Sequence, residues 1–393
     1  MAFVSVCHCG AWALDGSWRG DLVLGQMKMP IVFNFLQGED CTVTATIDSP
    51  NQGVKGIPVD VLYCSSDSVS LKSESISAVF SGKISSDTIE GVFTQRGYNF
   101  KLLLVPETGI EERRPQTPKP PFAYQSVDTV FQAKDGVKLA GTIVFPYTHK
   151  SSKMPMVVMV SGSGPQNRDE ELFDHRPFAV LADRLAANGI ASFRYDDRGV
   201  GASEGNFAES DTYVFADDAR SAVEFVKSLP QTGNVGILGH SEGGTIAFML
   251  GADGVPDFIV SLAGMAISGK ETLLMQNRHS LDRTPLSAVD KENSLKLLGL
   301  LFDAFIEQKR NNDIRPVDVD SIVAASGVTV NPQILASLKM NIKMRNTWID
   351  GFLNLDPRNF LSDIKCPVLA LNGDKDIQVN AVSNLSAVKE SVK

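Results

Sequence analysis

The 393-residue chain is poor in cysteine and histidine, with five of each, and it has no surplus of basic residues. Each shortage excludes something. Five cysteines (Cys7, Cys9, Cys41, Cys64 and Cys366), odd in number and scattered, cannot build the framework of a disulfide-stapled small domain. Cys7-His8-Cys9 has the look of one corner of a zinc site, but no second pair of ligands follows at the spacing such sites use. No metal is therefore expected. Cys41 and Cys64 fall in one β-rich stretch and could pair, which spacing does not decide. A formal net charge of −9 leaves no basic footprint for nucleic acid or for an anionic membrane. No apolar run approaches the length of a membrane-spanning helix. The N-terminus lacks the positively charged start of a signal peptide, although Met1–Cys9 is mildly apolar and Ala11-Trp12-Ala13 has the small-x-small form of a cleavage site. Two locations stay open: secreted or periplasmic, if that segment is the stump of an export signal, and otherwise cytoplasmic.

What is present is ordinary globular composition, 43% apolar and 21% charged, over a length that exceeds what one core normally serves. Residues 16–105 read as all-β. Short runs rich in β-branched and aromatic residues (Ser17–Leu24, Pro30–Leu36, Thr42–Ile47, Val59–Leu62, Ser68–Leu71, Ala78–Ile84, Thr88–Phe93, Phe100–Val105) alternate with turn signals at Asn51-Gln52-Gly53, Ser81-Gly82 and Arg96-Gly97. Seven or eight such strands predict a small barrel or sandwich. The stretch has no histidine and only scattered acids, so a packing or substrate-docking module is expected rather than a second active site. Residues 106–121 hold five prolines beside Glu107, Glu111, Glu112, Arg113 and Arg114, the composition of an extended linker.

From residue 122 to 393 strands alternate with helices, the pattern of a largely parallel sheet covered on both faces. Strands are expected at Tyr124–Gln132, Val137–Phe145, Met156–Val160, Ile190–Tyr195, Phe258–Leu262 and Val368–Leu371. One helix carries Phe178, Leu181, Ala182 and Leu185 and stops at Gly189, and a second begins after Asp211. The interval of about 265–365 reads helical, with segments Glu271–His279, Ala288–Gln308, Asp318–Ala325 and Pro332–Asn354. Inserted between two strands of the sheet, it would form a cap, with Leu295, Leu298, Leu301, Phe302 and Phe305 as its own packing core.

One stretch organises this half. Val235, Ile237 and Leu238 form a buried strand, Thr245–Leu250 opens an apolar helix, and between them lies Gly239-His240-Ser241-Glu242-Gly243. At ordinary glycine and serine usage that G-x-S-x-G pattern arises by chance in about one chain of this length in five to ten. Its place between strand and helix is what points to a nucleophile. A sharp turn there lifts the Ser241 hydroxyl clear of the sheet, and glycines at 239 and 243 remove the side chains that would clash. The neighbouring backbone N–H and the helix dipole then face the place where an oxyanion would develop. Gly199-x-Gly201 also follows a strand, but no helix opens there and the third glycine arrives only at Gly205, so no dinucleotide cofactor is expected.

Four stretches in order, Ser161-Gly162-Ser163-Gly164-Pro165-Gln166-Asn167-Arg168-Asp169, Asp196-Asp197-Arg198-Gly199-Val200-Gly201-Ala202-Ser203, Gly239 to Gly244, and Gly373-Asp374-Lys375-Asp376, resemble the α/β-hydrolase superfamily from about Phe122 onward. Within it the chain is similar to bacterial serine esterases that carry an N-terminal β domain, the EstD type. The resemblance implies an α/β-hydrolase fold with a helical cap behind a small β domain. It implies Ser241 as nucleophile, the backbone N–H groups of Ser163 and Glu242 as the oxyanion hole, and Asp376 as the triad acid with Asp374 as competitor. Asp196 and Arg198 would fix the shape of their loop. It further implies a small-molecule ester substrate and no cofactor. The departure is the base: all five histidines (His8, His149, His175, His240 and His279) precede Asp376, and none is among the seventeen residues after it. Two expectations follow. Either the chain stops short of its closing strand, helix and histidine and hydrolyses esters barely above background, or it is an inactive relative. Three functions remain in view: a carboxylesterase, a serine peptidase of the same superfamily, and a non-catalytic binding protein on a hydrolase fold.

Overall fold

In the computed structural model the residues described are 14–392, apart from 25–26, 39–41, 51–53, 86, 96–97, 108–114, 148–152, 173–174, 330 and 344. Eight strands come first: β1 (Gly16–Leu24), β2 (Met27–Gln37), β3 (Val43–Ser49), β4 (Val54–Cys64), β5 (Ser68–Ser73), β6 (Ala78–Ser85), β7 (Thr88–Gln95) and β8 (Tyr98–Pro106). Each pairs antiparallel with the next, and β1 pairs back onto β8 with Trp18 opposite Pro106, so the sheet closes into a barrel rather than a sandwich. Closure removes every free edge. The inward alternation expected of β3 is present, with Ala45 and Ile47 buried. Phe33, Phe80 and Phe93 fill the centre with Ile89, Leu102 and Leu104, and the Phe33 and Phe80 rings lie 5.0 Å apart. The barrel interior is a packed core.

One expected turn is corrected. Ser81-Gly82 lies inside β6, with Ser81 opposite Ser70 and Gly82 opposite Gly91. A Cβ on Gly82 would come 2.8 Å from the Phe80 ring, so this glycine makes room for an aromatic side chain instead of reversing the chain. The turns expected at Asn51-Gln52-Gly53 and Arg96-Gly97, the Cys7-His8-Cys9 corner, Ala11-Trp12-Ala13 and Cys41 lie outside the described residues.

The chain divides into two compact units, the first ending at Pro115 with Leu172–His175 grouped into it, and the second formed by the rest from Gln116. The second unit carries β9 (Tyr124–Gln132), β10 (Lys138–Pro146), β11 (Met154–Val160), α1 (Pro177–Ala187), β12 (Ala191–Tyr195), α2 (Thr212–Ser228), β13 (Thr232–His240), α3 (Glu242–Ala252) and β14 (Phe258–Leu262). Helices α4 (Gly269–Asp282), α5 (Ala288–Arg310), α6 (Val319–Ser326), α7 (Pro332–Lys343) and α8 (Thr347–Leu353) follow, then β15 (Val368–Leu371) and α9 (Ala381–Ser391). The sheet order is β15-β14-β13-β11-β12-β10-β9. Strand β10 is antiparallel to both neighbours, and the remaining pairs are parallel.

Continuous apolar strands explain the two covered faces. Along β11, Val157 and Met159 pack with Phe178 and Ala182 of α1, while Met156, Val158 and Val160 pack with Ala219, Val223, Ile246 and Phe248 of α2 and α3. Helix ends follow local chemistry. Pro177 opens α1, and Gly189, with φ +77°, follows its end. Asp211 caps α2 by accepting from the Tyr213 and Val214 N–H groups. The segment expected as one helix from Pro332 to Asn354 is two, because the Asn346 side chain caps a new helix by accepting from the Ile349 N–H. Helix α9, capped by Asn380, was not anticipated. Leu298, Leu301, Phe302 and Phe305 pack with Val319, Ile334 and Leu338, giving the inserted helices a core of their own, while Leu295 is buried on the same helix.

Candidate active site

Ser241 sits between β13 and α3 with φ +50° and ψ −116°, a backbone state that side-chain-bearing residues rarely adopt. Three contacts hold it there. The Ser241 N–H donates to the Leu262 carbonyl at the end of β14 (2.8 Å). A Cβ on Gly239 would come 2.0 Å from the Gly243 carbonyl oxygen, and one on Gly243 would come 2.1 Å from the Val160 carbonyl oxygen. Only glycine fits either place. Helix α3 begins at Glu242, the residue after Ser241, and the Gly244 N–H donates to the Ser241 carbonyl (2.9 Å). No hydrogen bond to Ser241 Oγ is formed by any described residue.

The segment after β11 runs past this turn. The point where a Gly162 Cβ would stand is 3.2 Å from Ser241 Cβ, which places Gly162 alongside the serine, and the next residue, Ser163, is exposed. Buried polar groups pin that segment. Asp197 accepts from the Ser161 hydroxyl (2.8 Å) and the Gln166 N–H (2.9 Å), and burial pushes its carboxyl up to about 7. Arg168 forks onto Asp196 through Nε (3.0 Å) and Nη2 (2.7 Å), and Arg194 pairs with Asp169. Asp196 also accepts from the Ala202 N–H, while Arg198 binds Asp218 (2.7 Å through Nε) and Asp135 (2.9 Å). Both loop residues thus hold the loop's shape, as the resemblance implied.

Two side chains that the sequence did not mark as functional meet at the turn. Glu170, buried and itself at φ +52°, brings one carboxylate oxygen to within 2.7 Å of both the Gly162 N–H and His240 Nδ1. That hydrogen bond, and then the field of Asp376, raises the His240 pKa above the usual imidazole value. A buried acid is the only signal that could have flagged Glu170, and burial of a single loop glutamate is not readable from sequence. The second link is Glu242. Its side chain is buried and accepts from the Thr212 hydroxyl (2.5 Å) and from Trp348 Nε1 (2.8 Å) in α8, so the inserted helices are tied to the residue after Ser241. Burial raises the Glu242 pKa.

Asp376 follows β15. Its Oδ1 accepts from the Gln378 and Val379 N–H groups and its Oδ2 from Asn372 Nδ2, whereas Asp374 is exposed. These three bonds fix the Asp376 carboxylate, and its charge helps raise the His240 pKa. His175 is exposed, His279 lies in α4 with Nε2 buried and unpartnered, and His149 is outside the described residues. Among the described residues no group of three or more His, Cys, Asp or Glu side chains is placed to hold a metal ion, and no helix is long and apolar enough to cross a membrane.

The strand order, its helices on both faces and the strained serine turn after β13 define an α/β hydrolase. The chain belongs to the X-Pro dipeptidyl-peptidase (S15) family, whose model matches residues 135–391. It is also 30% identical over 125 residues to the esterase EstD of Thermotoga maritima, a match that covers 32% of this chain and 30% of that relative. Among solved structures it is similar to the α/β hydrolase GrgF from Penicillium sp. (17% identity, 68% of this chain, 86% of that one, TM-score 0.43) and to an esterase of Pyrococcus furiosus (15% identity, 68% and 77%, TM-score 0.42).

Proposed function

We propose that this protein is a serine hydrolase that cleaves carboxylic esters through an acyl-enzyme on Ser241. The observation that carries the reading is the Ser241 backbone, held at φ +50° by two close-packed glycines at the N-terminus of α3. Strain of that kind persists only where the surroundings over-determine it. In this reading Ser241 Oγ attacks the ester carbonyl carbon, and the carbonyl oxygen becomes an oxyanion between the backbone N–H groups of Ser163 and Glu242. Each such donor is worth roughly 3 kcal/mol of barrier. The alcohol leaves with a proton, and water then releases the acid and restores Ser241. The Ser241 proton passes to a general base oriented by Asp376 and from it to the leaving alcohol; among the described residues no histidine is hydrogen-bonded to Asp376.

A peptidase is the second reading, favoured by the family to which the chain belongs. Removing dipeptides needs an anchor for the substrate's ammonium group. The buried acids around the turn are already engaged, Glu170 by Gly162 and His240, Glu242 by Thr212 and Trp348, Asp197 by Ser161 and Gln166. That supports an ester as substrate, as does the likeness to an esterase. The test is a fluorophosphonate probe read by intact mass and peptide mapping. Wild-type protein should gain one adduct on Ser241, and Ser241→Ala none, with the fold unchanged by circular dichroism. An unlabelled wild type, or equal labelling of both, overturns the nucleophile and leaves a binding protein. Turnover of p-nitrophenyl acetate against an X-Pro p-nitroanilide then separates esterase from peptidase.

A further inference from the structure

Glu170 has no part in the chemistry above, yet it is among the most constrained side chains near Ser241. Its backbone is left-handed, it is 7% exposed, and a single oxygen, Oε1, receives both the Gly162 N–H and His240 Nδ1 at 2.7 Å. A missing Cβ at Gly162 would stand 3.2 Å from that oxygen, 3.2 Å from Ser241 Cβ and 3.3 Å from His240 Nδ1. Four groups converge on one point. The turn that delivers Glu170 is built for it: the Glu170 N–H donates to the Asn167 carbonyl (2.9 Å), and Asn167 Oδ1 accepts from the Asp169 and Glu171 N–H groups.

This arrangement presents an electrostatic problem. A buried carboxylate beside the segment that should receive a developing oxyanion opposes that charge, most strongly where water is excluded. Because an ionised carboxylate only accepts, His240 Nδ1 must carry a proton toward Glu170, and a second proton on Nε2 makes the ring a cation. We propose that Glu170 and His240 form a positioning pair in which Glu170 fixes the Gly162–Ser163 segment against Ser241 while the His240 cation cancels its charge at the oxyanion site. The inference rests on the Ser241 reading and gives the pair no contact with the reacting atoms. Of the acids facing the pair, Asp376 also favours the charged ring, whereas Asp197 faces Glu170 as a like charge. The raised pKa of His240 has the sign the proposal needs: the compensating charge is complete below the ordinary imidazole value and is lost only as pH climbs through the raised one.

The test compares the fluorophosphonate labelling rate at Ser241 in wild type, Glu170→Gln, His240→Gln and the double variant. It is combined with NMR titration of the histidine rings, His240 being assigned by its loss in His240→Gln. Glutamine at 170 keeps an acceptor for the Gly162 N–H but carries no charge. His240→Gln should slow labelling about 10- to 100-fold by leaving Glu170 uncompensated, and the double variant should recover at least tenfold of that loss. Wild-type labelling should fall as pH rises through the His240 midpoint, and that midpoint should drop in Glu170→Gln. A purely structural pair makes the double variant as slow as His240→Gln or slower, which overturns the proposal, as does an unmoved His240 midpoint or an undiminished rate in His240→Gln. Absent labelling of wild type sinks the nucleophile reading and this role with it, whereas labelling that disappears in Ser241→Ala alone, with His240→Gln at wild-type speed, sinks only the pair.

Discussion

Asp197 illustrates how much a single buried residue sets. It is 8% exposed, its two oxygens hold the Ser161 hydroxyl and the Gln166 N–H, and its carboxyl is pushed from 3.8 to about 7 by burial. A raised acid pKa means the folded protein binds a proton that the unfolded chain has released. Stability contributed at this site is therefore full below about pH 4 and declines as pH rises to about 7, by roughly 4 kcal/mol. Asparagine can replace both contacts, its oxygen accepting from Gln166 and its amide donating to Ser161 Oγ. Asp197→Asn should accordingly flatten the fall in Tm between pH 4 and 7, and an unchanged slope would show that another acid carries it. At the same scale, in a form of the protein that turns esters over, Asp376→Asn should lower turnover at least about 100-fold, while Asp374→Asn stays within about threefold. Equal effects would remove the triad acid from residue 376. The sequence points to Ser163, to the adjacent Ser241 and Glu242, and to Asp376 at three strand ends, because each strand end carries its own glycine pattern. It could not place Glu170, His240 or Asp197 in one cluster, since that depends on how three loops fold back over the sheet.

At the scale of elements, the strands were legible because β-branched alternation and turn residues are local signals, and the register of β3 shows this directly. Glycine misled at Ser81-Gly82, where room for Phe80, a tertiary demand, imitates a turn. The split between α7 and α8 was signalled by Asn346, a residue that caps as readily as it sits on an exposed helix face. How the inserted helices meet the sheet was not legible, because the bond from Trp348 Nε1 to Glu242 spans 106 residues. That bond supports a prediction. Trp348→Phe preserves the stack on Phe352, whose ring centroid is 4.7 Å away, but leaves Glu242 with Thr212 as its one side-chain donor. Destabilisation of about 1–3 kcal/mol is expected in urea titrations at pH 8. The loss should shrink as pH is lowered, because burial raises the Glu242 pKa and a protonated carboxyl needs one donor fewer. A pH-independent loss would mean that ring packing, not the indole N–H, is what the substitution removed.

At the scale of the whole molecule, each unit has a buried core of its own among the described residues. The barrel's buried cluster draws only on residues up to Leu104, and the clusters of the second unit begin at Phe131. Phe80 and Phe193 are the matched probes, each almost fully buried in its own unit and each in contact with at least one other aromatic ring. Cutting either to alanine should cost about 3–5 kcal/mol, the transfer of the ring plus the cavity it leaves. Two units with separate cores are expected to give two transitions in calorimetry of the full chain, with Phe80→Ala lowering one midpoint and Phe193→Ala the other. Fluorophosphonate labelling assigns them. Followed against temperature, the loss of Ser241 reactivity should track the Phe193-sensitive transition alone, because the strained turn at Ser241 is held by β11, β14 and α3, all of the second unit. A single transition moved equally by both substitutions would mean that the barrel and the hydrolase unit unfold as one, and the barrel would then be part of what keeps Ser241 in its strained state.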